Sequence, residues 1–182
     1  MSKLKIEGQH LLSGEVKISG AKNSAVALLP AAVLAKTKSI IYNVPEISDI
    51  KYLIDIMKLL NCEVKHENET LYIDSSKLKN KPIPEEMSVQ MRASYYFLGA
   101  CLGKFRKAMV PLPGGCPLGD RPINQHTKAF MALGAKYNLI NGVVHVESEN
   151  LYGSQIYLDV VSVGATMNAI LASVKAQGLT II

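Results

Sequence analysis

Three apolar stretches recur along the chain at a spacing of about 70 residues, and each is followed by the same kinds of element. They start near Lys22, Arg92 and Val163. The first runs from Gly20-Ala-Lys-Asn-Ser-Ala into an apolar helix over Ser24 to Ala35, then a β-branched strand from Ser39 to Val44, then Pro45. Ile47, Ile50, Leu53, Ile54, Met57 and Leu60 follow at steps of three and four, which predicts an amphipathic helix. Asn61-Cys62 then leads to strands over Glu63 to His66 and Thr70 to Asp74. The second copy passes from Arg92-Ala-Ser through apolar Tyr95 to Leu102, to Met109-Val110 and a Pro/Gly loop. A helix from Pro122 to Leu133 follows, then paired strands around Ala135 to Leu139 and Gly142 to Glu147. The third starts at Ser162-Val-Gly-Ala-Thr, continues through Ala169 to Ala176 and reaches a strand over Leu179 to Ile182, without the amphipathic helix and strand pair.

Helices that are apolar nearly all round, such as Ser24 to Ala35 and Ser94 to Leu102, belong in a buried centre, while amphipathic helices and alternating strands wrap outside. The fold class expected is therefore α/β (α+β by some schemes), built from repeats around central helices. A third unit that stops in mid-strand leaves an edge unpaired and an apolar face uncovered, so the chain reads as a fragment of a longer protein.

Composition narrows the class. The 182 residues are 48% hydrophobic and 19% charged, enough to bury a core and too apolar for a disordered chain. Three cysteines, at 62, 101 and 116, share no C-x-x-C spacing and cannot all pair, which argues against a disulfide-stapled or zinc-held domain and for a reducing cytoplasm. The apolar run from Ala25 to Ala35 is interrupted by Pro30 and is well short of the ~20 residues that cross a bilayer. The charged start, Met1-Ser-Lys-Leu-Lys-Ile-Glu-Gly, is no signal peptide. A net charge of +5 points to an anionic partner, but seventeen scattered lysines with no Trp and no basic run interleaved with aromatics argue against nucleic acid. A small phosphorylated substrate remains.

Two groups of residues carry chemistry. Residues 111 to 122 hold four of the eight prolines and three of the thirteen glycines, a shaped loop that presents Cys116 at a turn. Cys101, in Phe97-Leu-Gly-Ala-Cys-Leu, reads instead as a small buried hydrophobe. An ordinary thiol, with a pKa of about 8.5, is mostly protonated at neutral pH, so Cys116 can serve as a general acid or, with help from a cation such as Arg121, as a nucleophile. No hydrolase triad accompanies it: of the histidines at 10, 66, 126 and 145, only His126 follows the loop closely, and it reads as a partly buried helix residue rather than a base.

The repeat starts form the second group. Each precedes a buried helix whose first turn has free N–H groups and a partial positive charge. Lys22 and Arg92 add full charges at two equivalent places, and Ser162 with Gly164 offers a hydroxyl and open backbone at the third. Packed about a pseudo-threefold axis, the starts converge on one phosphate-binding mouth, with Cys116 on a loop able to close over it. Arg121-Pro122 opens the next helix and adds N–H groups for a second phosphate or a uracil edge. No Walker loop or dinucleotide fingerprint is present, so no nucleoside triphosphate or nicotinamide is expected.

With these residues in view, the chain resembles the N-terminal part of the UDP-N-acetylglucosamine 1-carboxyvinyltransferase family. The resemblance rests on Gly14-Glu-Val-Lys-Ile-Ser-Gly-Ala-Lys-Asn, Met91-Arg-Ala-Ser, Leu112-Pro-Gly-Gly-Cys, Gly119 with Arg121-Pro122, and Ser162-Val-Gly-Ala-Thr, in that order. It implies an inside-out barrel of βαβαββ repeats and two domains, in which residues 1–20 belong to the other domain and residues 21–182 form most of the cysteine-loop domain. The repeats lie near 21–90, 91–160 and, incomplete, 161–182. The implied reaction moves the enolpyruvyl group of phosphoenolpyruvate to the 3-hydroxyl of UDP-N-acetylglucosamine, releases phosphate and opens peptidoglycan synthesis, with no cofactor or metal.

On the same resemblance, Cys116 protonates the enol carbon, forms a phospholactoyl adduct and is the group alkylated by fosfomycin. Lys22, Asn23 and Arg92 hold phosphoenolpyruvate with Cys116. Arg92, Arg121, Pro122, Ile123, Asn124, Gln125, Val160, Val161, Ser162 and Val163 line the UDP-sugar site. Val160 stands where some members have Lys, and Asn124 where they have Asp, so backbone contacts are left to meet the diphosphate and the uracil edge there. The family's proposed general base, an Asp, lies in the part not present, so the isolated chain is expected to be inactive and to need that C-terminal part as its partner. The competing reading is a non-catalytic UDP-sugar-binding paralogue.

Overall fold

The computed structural model describes residues 3–89, 91–112 and 123–182. In chain order the elements are α1 (Lys22–Ala32), β1 (Lys38–Ile41), α2 (Ser48–Leu59), β2 (Glu63–Glu67), β3 (Thr70–Asp74), the short α3 (Glu85–Ser88), a 3-10 turn (Arg92–Tyr95) running into α4 (Tyr96–Phe105), β4 (Lys107–Pro111), α5 (Asn124–Ala132), β5 (Lys136–Ile140), β6 (Val143–Glu147) and α6 (Val163–Ser173). The helical units of the three repeats thus begin at Lys22, Arg92 and Val163, where the sequence pattern places them.

Each of the first two repeats makes its own antiparallel sheet, in the orders β1-β3-β2 and β4-β6-β5. In both, the last strand lies between the other two, so the outer strands run parallel and a helix crosses between them. The registers correspond as well: Lys38 and Glu63 flank Asp74 in one sheet, and Lys107 and Lys136 flank Glu147 in the other. Alternation sends Leu71 and Ile73 of β3, and Val144 and Val146 of β6, into the core at 0–2% exposure. The apolar stripe of α2 covers the first sheet from inside: Ile50, Leu53, Ile54, Met57 and the following Leu60 are all buried.

The central helices depart in part from the expectation of burial all round. Phe97 to Gly103 of α4 are buried without a break, because α4 packs on both α1 and α6. By contrast α1 leaves Leu28 half-exposed, and α6 leaves Val163, Ile170 and Val174 open to solvent. Helix α1 also ends at Ala32 rather than Ala35, since a tighter turn through Val33 and Leu34, bonded to Pro30 and Ala31, closes it. The strand expected over Leu179 to Ile182 is replaced by two isolated parallel bridges, Tyr152 to Gln177 and Gln155 to Ile181.

Two glycines permit the close approach of α4 and α6. A Cβ on Gly99 would lie 2.5 Å from the Asn168 carbonyl oxygen, and one on Gly103 2.8 Å from that of Leu171, so any larger residue forces the helices apart. The other end of α4 is tied by cations. Arg106, a left-handed C-cap at φ 61°, donates to Gly103 O and Lys175 O at 2.9 Å each, and Lys104 Nζ donates to Ala35 O. The N-terminal end of α4 is where the polar chemistry collects.

Candidate active site

Arg92 follows an extended Met91 and opens the turn that leads into α4. This turn packs on α6. Ser162, also extended, caps α6: its Oγ accepts from Ala165 N at 3.3 Å, leaving the N–H groups of Val163 and Gly164 on the open first turn. The Ser162 oxygen accepts for the helix and keeps its own O–H to donate, so the hydroxyl and the first-turn backbone can both meet an anion.

Between these two starts stands His126 of α5, only 5% exposed. Gly164 makes room for it, because a Cβ there would come within 3.2 Å of His126 Cε1. Asn168, fully buried, fixes the ring. Its Oδ1 accepts from Gly99 N at 2.8 Å, which assigns the amide orientation and makes Nδ2 the donor to His126 Nδ1 at 2.9 Å. His126 Nδ1 is then an acceptor, and the neutral ring carries its proton on Nε2, on the Gly164 side. Burial, with the positive charge of Arg92, pushes the His126 pKa down to about 4. Tyr95 packs edge-on against the ring, with centroids 5.8 Å apart. His126 is thus a buried neutral residue, more deeply set than the partly buried helix position expected from the sequence.

Both roots of the cysteine-bearing segment are anchored at this place. Ser88 Oγ donates to Pro111 O at 2.8 Å and Ser94 Oγ to Ser88 O at 3.3 Å, which ties the end of β4 to the Arg92 turn. On the return, Ile123 O accepts from His126 N at 2.9 Å and Thr127 N at 3.1 Å, starting α5. Cys116, Arg121 and Pro122 themselves lie outside the described residues. The two described cysteines are buried and free: burial raises the Cys101 thiol to about 12 and also pushes Cys62 up, so neither is poised as a thiolate.

The wall residues divide. Val160, Val161 and Val163 are exposed at 61%, 103% and 72%, Asn124 is exposed, and Ile123 is half-buried. Gln125, in contrast, is buried, and its amide bonds Asp159. Asp159 also takes Lys128 Nζ at 2.6 Å, and these bonds, Lys128 first, hold its carboxyl below the usual range. Of the first repeat, Asn23 is exposed and Lys22 forms an ion pair with Asp49 of α2. The described contacts join the second and third starts through His126; they do not extend to Lys22.

A depression of about 640 Å³ lies elsewhere, at the C-terminal end of α4, lined by residues such as Arg106, Lys107 and Glu147. Two of its cations have partners, Arg106 with two carbonyls and Lys107 with Glu147 at 3.3 Å. Among the described residues no cluster of His, Cys, Asp and Glu is placed to hold a metal, and no helix is long and apolar enough to cross a membrane.

The first two repeats share one helix-strand-helix-hairpin architecture, set around central helices. The structure of the enolpyruvyl transferase NikO from Streptomyces tendae has this fold, with a TM-score of 0.80 at 23% identity over 93% of this chain and 40% of that one. EPSP synthase from Acinetobacter baumannii gives 0.71 at 18% identity over 91% and 39%. More particularly, residues 6–182 match the model of the EPSP synthase (3-phosphoshikimate 1-carboxyvinyltransferase) family, and the chain belongs to that family. In sequence it is 52% identical over 182 residues to UDP-N-acetylglucosamine 1-carboxyvinyltransferase 2 of Oceanobacillus iheyensis, and 50% identical to the protein of that name from Bacillus subtilis. Both alignments take in all of this chain and 42% of the relative. The chain therefore spans about two fifths of the length of these relatives.

Proposed function

We propose that this chain is the cysteine-loop part of an enzyme that transfers the enolpyruvyl group of phosphoenolpyruvate to the 3-hydroxyl of UDP-N-acetylglucosamine in the cytoplasm, releasing phosphate. The observation that carries the reading is the identity of about half, sustained over the whole chain, with relatives named for that reaction. The site supports it chemically. Arg92 and the first turn of α6 supply a full charge and oriented N–H groups for anionic substrates, and His126 stays neutral, adding a donor without becoming a competing acid.

In this reading the Cys116 thiol gives its proton to the C3 methylene of phosphoenolpyruvate while the sugar 3-oxygen adds to C2. Phosphate then leaves C2 with its electron pair as a C3 proton returns to the Cys116 thiolate, and the proton of the sugar 3-hydroxyl goes to the Asp base. The alternative adduct has the sulfur on C2 and the new methyl on C3. Lys22 and Arg92 neutralise the phosphate and carboxylate during addition, Asn23 helps to hold phosphoenolpyruvate, and residues 121–125 and 160–163 hold the sugar nucleotide. Residues 1–20 go with the second domain: the described residues up to 20 form no helix or strand, and Leu4, Ile6, Val16 and Ile18 are each at least 80% exposed. An Asp base from the remaining part of the protein completes the reaction.

Phosphate release from phosphoenolpyruvate tests this directly, comparing the 182-residue chain with the complete product of its gene. The expected result is release by the complete product alone, and only when UDP-N-acetylglucosamine is present. Saturable sugar-nucleotide binding by the complete product without phosphate release would replace the transferase with a non-catalytic binding paralogue.

A further inference from the structure

Gln125 is the second residue of α5 and is 5% exposed, so both ends of its amide need partners. Both are met by one residue 34 positions on. Gln125 Nε2 donates to Asp159 Oδ2 at 3.1 Å, and Gln125 Oε1 accepts from Asp159 N at 2.9 Å. This two-bond pairing fixes the direction as well as the distance of the segment it holds. One helical turn along α5, Lys128 reaches the other carboxylate oxygen at 2.6 Å and lies 5.7 Å over the Tyr157 ring. That ion pair is about half exposed on both sides and adds little holding power; the buried amide carries the clamp.

What the clamp holds is the approach to α6. Three residues after Asp159 the chain reaches Ser162, the N-cap of α6, and between them Val160 and Val161 have no buried side chain to anchor them. We propose that Gln125 is a positioning residue which, acting through Asp159, sets the separation between the first turn of α5 and residues 160–163, and so the fit of a sugar nucleotide between them. The inference rests on the sugar-nucleotide reading given above. It assigns Gln125 a part other than direct contact by its side chain, whose amide is taken up at both ends by Asp159.

The test uses the complete gene product carrying Gln125→Ala, with Gln125→Met as a volume-conserving control and Asp159→Asn as the conservative variant. Both Gln125 variants should raise KM for UDP-N-acetylglucosamine about tenfold, the loss of one to two hydrogen bonds, with kcat and KM for phosphoenolpyruvate within about twofold. Amide exchange at Asp159 should accelerate with them. Asp159→Asn keeps an acceptor for Nε2 and its own backbone N–H, and should stay within about threefold of wild type. Faster exchange at Asp159 with unchanged KM for the sugar nucleotide would overturn the proposal, as would equal loss in every kinetic constant alongside a lowered Tm. Should the wild-type protein bind UDP-N-acetylglucosamine without turnover, the transferase reading fails by itself. The clamp is then judged by calorimetry, a tenfold weaker Kd in Gln125→Met supporting it and an equal Kd refuting it.

Discussion

Replacing Cys116 by Ala in the complete gene product lowers turnover by at least about 10³-fold, because the reaction then has no acid placed to deliver a proton to C3. KM for the sugar nucleotide should change little, since the proposed function places that substrate at residues 121–125 and 160–163 rather than on Cys116. Mass spectrometry after incubation with fosfomycin reads the same thiol independently: wild type gains one equivalent of the drug and the variant gains none. Neither buried cysteine substitutes, as Cys101 is raised to about 12 by burial and the Cys62 thiol is held against Asp74 O at 3.3 Å. A variant that retains turnover within tenfold of wild type, or still takes up fosfomycin, removes Cys116 from the mechanism.

The second large effect is on stability and follows from His126. Its pKa is about 4 in the fold and about 6.5 in an unfolded chain. Between these values the unfolded chain binds more protons, so stability is complete above about pH 6.5 and is lost as pH falls towards 4. The loss attributable to this one ring is up to about 3 kcal/mol at the low end, from 1.36 kcal/mol per pKa unit. Asp74 and Asp159, both held low by hydrogen bonds, add slope of the same sign, so the informative quantity is the difference between wild type and a variant. His126→Gln retains an acceptor for Asn168 Nδ2 and has nothing to titrate. Urea unfolding at pH 7, 6, 5 and 4.5 should show the wild type losing stability faster than the variant as pH falls. Superimposable slopes would mean that His126 is not buried neutral beside Arg92.

The repeats were legible because each is a local pattern. The steps of three and four from Ile47 to Leu60, and the alternation over Thr70 to Asp74, are set by geometry within one element and need no partner to be read. The last strand failed for the complementary reason: Leu179 to Ile182 has strand composition, but a strand is made by a ladder, and residues 152–156 provide only isolated bridges. The same limit explains the site. Lys22, Arg92 and Ser162 stand at helix starts, which the sequence marks, so their places were readable. Asn168, Asp159 and Gly99 were not singled out, because their meaning lies in contacts 34 to 69 residues away. One signal was available for Asn168, a lone amide inside the apolar run of α6. A polar residue on such a stripe requires a buried partner, and pairing it with His126 would have predicted the neutral ring. For Gln125 the sequence could suggest a place in the wall but not that the side chain turns inward, which depends on Asp159.

The most direct measurement of the central claim is the structure of the product. The complete gene product, supplied with phosphoenolpyruvate and UDP-N-acetylglucosamine, should yield one equivalent of inorganic phosphate and a sugar nucleotide carrying an enolpyruvyl ether on its 3-oxygen, seen as two vinyl protons in the proton NMR spectrum and a free phosphate line in phosphorus NMR. Unchanged spectra of both substrates, from protein that is folded and binds the sugar nucleotide, would contradict the transferase account.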